Sequence, residues 1–258
     1  MFASRRVAVA AVCWLAMSAP NTSLAQQTVV DSVSIRTTAP GPRAVVVVRA
    51  ANVSFAVSSH ARAEVSAILR SSRNGSRSSN ADFSGVLRAT ATIDTTRIEL
   101  ARALDALYHL ELSVPLGVAL RVAGDNGGEV RIEGVRGSAE VTHSNGGVTV
   151  LDASGYALVA TSNGNLRVRL VDVERGVPMS FITSNGNIDL TMPADVRATL
   201  LIDDSIPLQS DFALVSTDAG GAREPGRGPS RLRRLAVNGG GPTVRLYTNN
   251  GIVRFHRL

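Results

Sequence analysis

Apolar and polar positions alternate along most of this chain, and Asn-Gly interrupts the alternation at regular intervals. Five such pairs share one apolar pattern, Asn126-Gly127, Asn145-Gly146, Asn163-Gly164, Asn185-Gly186 and Asn250-Gly251, the first four spaced by 19, 18 and 22 residues. Six residues before each Asn stand Leu120, Ala139, Ala157, Met179 and Val244; four before stand Val122, Val141, Val159, Phe181 and Leu246. Three and five residues after come Val148 and Val150, Leu166 and Val168, Ile188 and Leu190, Val253 and Phe255. The first repeat slips by one, to Val130 and Ile132. A period of two on both sides of a corner predicts strand, turn, strand, with one face inward.

One Asn-Gly pair between alternating runs would predict a hairpin. A constant register at a period near twenty residues is instead the mark of stacked coils. The expected fold is all-β: a single-chain parallel β-solenoid with coils of about 18–22 residues, each returning above its start. An antiparallel meander is the competing arrangement. At the corners, Gly and Asn are both expected to take positive φ. The stacked Asn side chains are expected to form a hydrogen-bonded row. The predicted core includes Val122, Val141, Val159, Phe181, Leu166, Val168, Ile188, Leu190, Leu246 and Phe255.

Outside the clear repeats the pattern is still strand-like. Val45 to Val48 is a continuous apolar run, and Val53, Phe55 and Val57 alternate with small polar residues. Residues 26–104 are read as an N-terminal β segment that joins the stack and closes its first end, since an open end would expose unpaired backbone. Residues 71–80 read as a polar loop. Leu100, Leu104 and Leu107 have helical spacing, but Tyr108, Leu110, Leu112 and Val114 alternate and predict a strand over 107–114. Ala198, Leu200, Ile206 and Leu208 bracket Asp204 as a degenerate coil expected to follow the fourth. Residues 216–234 read as a Gly/Pro-rich surface loop.

The ordered set Pro115-Leu116-Gly117, Asn126-Gly127, Ser144-Asn145-Gly146, Thr161-Ser162-Asn163-Gly164-Asn165 and Thr183-Ser184-Asn185-Gly186-Asn187 resembles the bacterial putative-adhesin family. So do Met192-Pro193-Ala194, Gln209-Ser210-Asp211-Phe212 and Asn238-Gly239-Gly240-Gly241-Pro242 with Asn249-Asn250-Gly251. The resemblance covers 105–258 well and 28–104 loosely. It implies a parallel β-solenoid of unknown function, often exported or attached to the cell envelope. It supplies no catalytic residues. The chain departs from it in the Arg-rich loop and in Asp204-Ser205, where another Asn-Gly would stand.

Composition adds a compartment. Arg5 and Arg6, the apolar run Val7 to Met17, and Ser23-Leu24-Ala25 predict a secretory signal peptide at 1–25. No other stretch is apolar for the length a membrane helix needs. Cys13 lies inside the signal, so the mature chain has no thiol and no disulfide. The expected location is exported, either periplasmic or extracellular and cell-surface. The net charge is +6, and every basic residue is Arg. Arg223, Arg227, Arg231, Arg233 and Arg234 cluster in the loop with Glu224 as the single nearby acid, a candidate anionic-surface site. No aromatic residues interleave with them, which argues against nucleic acid.

Candidate chemistry is sparse. His60, His109, His143 and His256 lack metal-ligand spacing. His143 adjoins Ser144, but strand neighbours face opposite ways, so His143 reads as a polar corner residue. Asp152, Asp172, Glu174 and Asp189 fall at different coil positions, and Asp203 and Asp204 do not share a face. No catalytic, cofactor or metal residue is expected. The sequence points to a non-enzymatic binding or scaffold module whose partner is an anionic envelope component, a glycan or another envelope protein. A structural or sensory partner in an envelope stress system is indistinguishable from it. The alternative is a polysaccharide-active β-helix enzyme, a lyase or hydrolase, with acids grouped on adjacent coils.

Overall fold

A computed structural model of the protein describes residues 32–38, 45–71, 86–92, 94–100, 108–217 and 232–258. The predicted signal peptide and the 72–80 stretch lie outside them. Every regular element among the described residues is a strand. In chain order these are β1 (Ser32–Thr38), β2 (Val45–Ala51), β3 (Val53–His60), β4 (Glu64–Ser71), β5 (Leu87–Ala91), β6 (Thr95–Leu100) and β7 (Tyr108–Pro115). The repeats follow as β8 (Ala119–Asp125), β9 (Val130–Glu133), β10 (Ala139–Asn145), β11 (Val148–Gly155), β12 (Ala157–Asn163), β13 (Leu166–Val173), β14 (Met179–Asn185) and β15 (Ile188–Met192). The remainder are β16 (Ala198–Asp203), β17 (Leu208–Ser210), β18 (Leu214–Ser216), β19 (Leu232–Val237), β20 (Thr243–Tyr247) and β21 (Val253–Arg257).

The strands form two sheets. One runs β1-β4-β7-β3-β9-β11-β13-β15-β21-β17 and the other β18-β19-β16-β20-β14-β12-β10-β8-β2-β6-β5. Each of the five repeat Asn-Gly pairs, at 126, 145, 163, 185 and 250, carries the chain from one sheet to the other, so it is not a hairpin between neighbours. Within each sheet the repeats pair in parallel and in register. Val122, Val141, Val159, Phe181 and Leu246 form one continuous column. Val148, Leu166, Ile188 and Val253 form the facing one. All are buried, as are Val168, Leu190 and Phe255. β-branched and Leu side chains at alternate positions thus fill the space between the sheets, and the polar positions turn outward.

The all-β expectation holds, but the sheets are mixed rather than parallel throughout. Antiparallel pairs join β1 to β4, β4 to β7 and β5 to β6 at one end. They join β16 to β19 and β18 to β19 at the other. These returning strands cover parallel strands that would otherwise offer open edges, and the final edges β17 and β18 are only three residues long. Arg233 and Arg234 therefore lie in β19, where a loop through 234 was expected.

Stacking order also departs from chain order. β2 lies between β6 and β8, and β3 between β7 and β9. β20 and β21 insert between β14/β15 and β16/β17. The Asp204 coil thus does not follow the fourth repeat; the last Asn-Gly coil does. That coil has the Asn needed to continue the corner row, and the Asp204 coil lacks it. Phe212 closes this end by stacking on Phe255, with ring centroids 4.6 Å apart.

Candidate binding surface

The Asn-Gly corner is built from three adjacent columns. In the outermost, Asn163 Nδ2 donates to Asn145 Oδ1 at 2.7 Å, Asn185 Nδ2 to Asn163 Oδ1 at 2.7 Å, and Asn250 Nδ2 to Asn185 Oδ1 at 2.6 Å. Two residues on, the Asn187 amide donates to Asn165 Oδ1 and the Ile252 amide to Asn187 Oδ1. Two residues before the corner, Thr161, Thr183 and Thr248 point inward, and each hydroxyl donates to a corner carbonyl of the neighbouring coil: Gly146, Gly164 and Gly186 respectively. The buried hydroxyls are therefore satisfied.

Glycine serves this corner by its missing side chain. A Cβ on Gly146, Gly164, Gly186 or Gly251 would lie 1.8–2.2 Å from the carbonyl oxygen of the coil beside it. The expectation of positive φ at the corner asparagines is corrected. Only Asn126 has it, at 55°, while Asn145, Asn163, Asn185 and Asn250 do not. Their role is the amide row.

The first corner differs because its turn carries one more residue. Gly127 and Gly128 both have positive φ, at 87° and 94°. His143 takes the threonine position here and is buried. Its Nε2 lies 2.9 Å from the Gly128 oxygen and its Nδ1 3.1 Å from the Gly124 oxygen. The longer side chain reaches across the slip that a threonine could not span. Ser144 faces outward and donates to Asp125 Oδ1.

On the outer faces, carboxylates and arginines pair across or along strands. Asp152 pairs with Arg169 at 3.4 Å, Asp189 with Arg254 at 3.1 Å, Glu140 with Arg121 at 2.9 Å, and Glu133 with Arg131. Asp203 is buried and accepts from the Ser205 amide and hydroxyl. In the predicted basic cluster, Arg233 is half-buried and already partnered. Its Nε lies 2.8 Å from Asp204 Oδ1, and its Nη2 donates to the Ile206 carbonyl. Arg234 is exposed on β19 opposite Leu201. Arg223, Arg227 and Arg231 lie outside the described residues.

His256 Nδ1 lies 3.1 Å from Asp211 Oδ2. The Arg257 amide and His256 hold the Asp211 carboxyl below its ordinary value. Among the described residues no three His, Cys, Asp or Glu side chains converge as a metal site would require. No helix among them is long and apolar enough to cross a membrane.

A recess that the sequence reading missed lies at the corner opposite the asparagines. Three turns wall a cleft of about 790 Å³: 174–178 between β13 and β14, 193–197 between β15 and β16, and 238–242 between β19 and β20. Asp172, Glu174, Arg175, Asp195 and Arg197 line it beside Val171 and Val173. β13 runs past the end of β15. Its far half keeps its partner β11 on one side, with Glu174 N donating to the Gly155 carbonyl. On the cleft side the Val173 amide is taken by Asp172 Oδ1. The signal was present as the 22-residue spacing between Asn163 and Asn185, whose extra residues form the projecting 174–178 turn.

No family model matches the sequence, and no curated protein matches it. One solved structure, described as a putative cell adhesion protein from Clostridium sporogenes, aligns with 88% of this chain and 100% of its own. The identity is 8% and the TM-score 0.46.

Proposed function

We propose that the protein is a non-enzymatic, exported binding module of the cell envelope. In this reading it is wound as a β-solenoid, and residues 26–258 form one stacked unit released from the 1–25 signal. The observation that carries the proposal is the cleft between three corner turns, where Arg175 and Arg197 stand with Asp172, Glu174 and Asp195 over a short apolar floor. Recesses of this size with a few charged groups on an apolar base are the usual form of a ligand site. The scaffold beneath is held by stacked backbone and amide hydrogen bonds, so the turns are presented with little ordering cost on binding. A glycan or anionic envelope component is the ligand class the two arginines fit.

The test is a glycan and anionic-lipid array on residues 26–258, with polymer cleavage assayed in parallel. Binding without turnover, lost in an Arg175→Gln/Arg197→Gln variant, is the expected result. Binding unchanged in that variant rejects the cleft as the site. The cleft acids also favour a second reading, the polysaccharide-active enzyme. Turnover abolished by Glu174→Gln or Asp195→Asn would establish it in place of the binding module.

A further inference from the structure

The six Asn-Gly pairs among the described residues are held very differently. Asn163 and Asn185 have their side chains bonded on both sides in the corner row, while Asn145 and Asn250 are bonded on one side. Asn238 donates its Nδ2 to the Ala194 and Val196 carbonyls. The following Gly nitrogens are also engaged in three of these turns: Gly146, Gly164 and Gly186 donate to the Asn163, Asn185 and Asn250 carbonyls at 2.7–3.0 Å. Asn126 alone stands outside this pattern. It is exposed, its side chain makes no hydrogen bond among the described residues, and its backbone has already turned to positive φ at the start of the longer first turn, unlike the asparagines of the row. Around the following Gly127, a Cβ would meet nothing within 4 Å.

We propose that Asn126 is a site of spontaneous deamidation in the folded protein, and that the stacked asparagines are protected from the same reaction. The Gly127 backbone nitrogen bonds to Asn126 Cγ, losing its proton, and the side-chain nitrogen departs as ammonia to leave a cyclic imide. Water opens the imide at either carbonyl, giving aspartate or isoaspartate, the latter with an added methylene in the main chain. The reaction requires a free side-chain carbonyl and a Gly nitrogen that no hydrogen bond holds, and among the described residues Asn126-Gly127 has both, in open surroundings. In the row, hydrogen bonds must open first. One net hydrogen bond lost on the way to the transition state already slows a reaction about tenfold.

The experiment incubates residues 26–258 at mildly alkaline pH, folded and in urea, then cleaves after arginine and follows each Asn by mass spectrometry. In the folded protein Asn126 is expected to convert at least about tenfold faster than Asn163 or Asn185, and in urea that lead is expected to vanish. Equal rates in the folded protein, or a lead that persists in urea, would overturn the proposal. An Asn185→Ser variant removes the donor on Asn163 Oδ1. If it keeps the wild-type circular dichroism, conversion of Asn163 is expected to accelerate while Asn126 stays unchanged. An unchanged Asn163 in that folded variant would remove the row as the cause. Should the variant not fold, the comparison of folded and urea-treated wild type still decides.

Discussion

At the scale of single residues, the corner shows how one dipeptide does two jobs. The asparagine supplies an amide that bonds to its copies above and below, and the glycine lets the coils come close enough for that bond. Gly164→Ala would set a methyl 2.1 Å from the Gly146 oxygen. We expect a loss of about 1–3 kcal/mol or more in urea unfolding, because backbone on both sides must move. Asp211 gives a pH dependence. The Arg257 amide and then the His256 side chain lower its folded pKa. Its stabilising contribution is therefore present above the ordinary carboxylate range and is lost as pH falls through the lowered value. Asp211→Asn should reduce stability at neutral pH, and the gap from wild type should close under acid, as followed by melts across pH. His143 shows what the sequence left open. It was read only as a polar corner residue, yet the one-residue slip after Asn126 was the signal that a longer inward side chain was needed.

At the scale of strands, period-two spacing made the inward faces legible, because a parallel in-register column puts like residues over like. Phe181 sits at the centre of such a column, between Val159 and Leu246, and is fully buried. Phe181→Ala should cost about 3–5 kcal/mol in urea melts. A loss near zero would mean that the column is not packed as described. The order of the strands was not legible. Every coil presents apolar positions at the same offsets before its turn and at nearly the same offsets after it, so any coil fits beside any other as far as that pattern goes. What distinguishes them is the Asn itself, which places β20 and β21 against β14 and β15 and leaves the Asp204 coil outside. The antiparallel returns were hidden for a related reason: alternating apolar positions specify a buried face and carry no strand direction.

At the scale of the molecule, the two insertions mean that segments distant in sequence close the stack. Residues 243–258 lie inside it, not at its end, and β20 is the parallel partner of both β14 and β16. Deleting them would strip one partner from each of β14, β15 and β16 and leave β17 with none. We expect a chain ending at 242 to lose cooperative unfolding, measured by circular dichroism and hydrogen exchange. A coil at the end of a strictly sequential stack would be removable at the cost of one interface.

The amide row has a direction: every Nδ2 donates toward the coil nearer Asn145, and every Oδ1 accepts from the coil nearer Asn250. A duplicated repeat carrying its own Asn could be spliced anywhere along this row without orphaning a donor or an acceptor. One lacking it would split the row in two. Lengthening this stack is therefore decided at a single side chain, and the Asp204 coil, which lacks it, lies beyond the last Asn of the row.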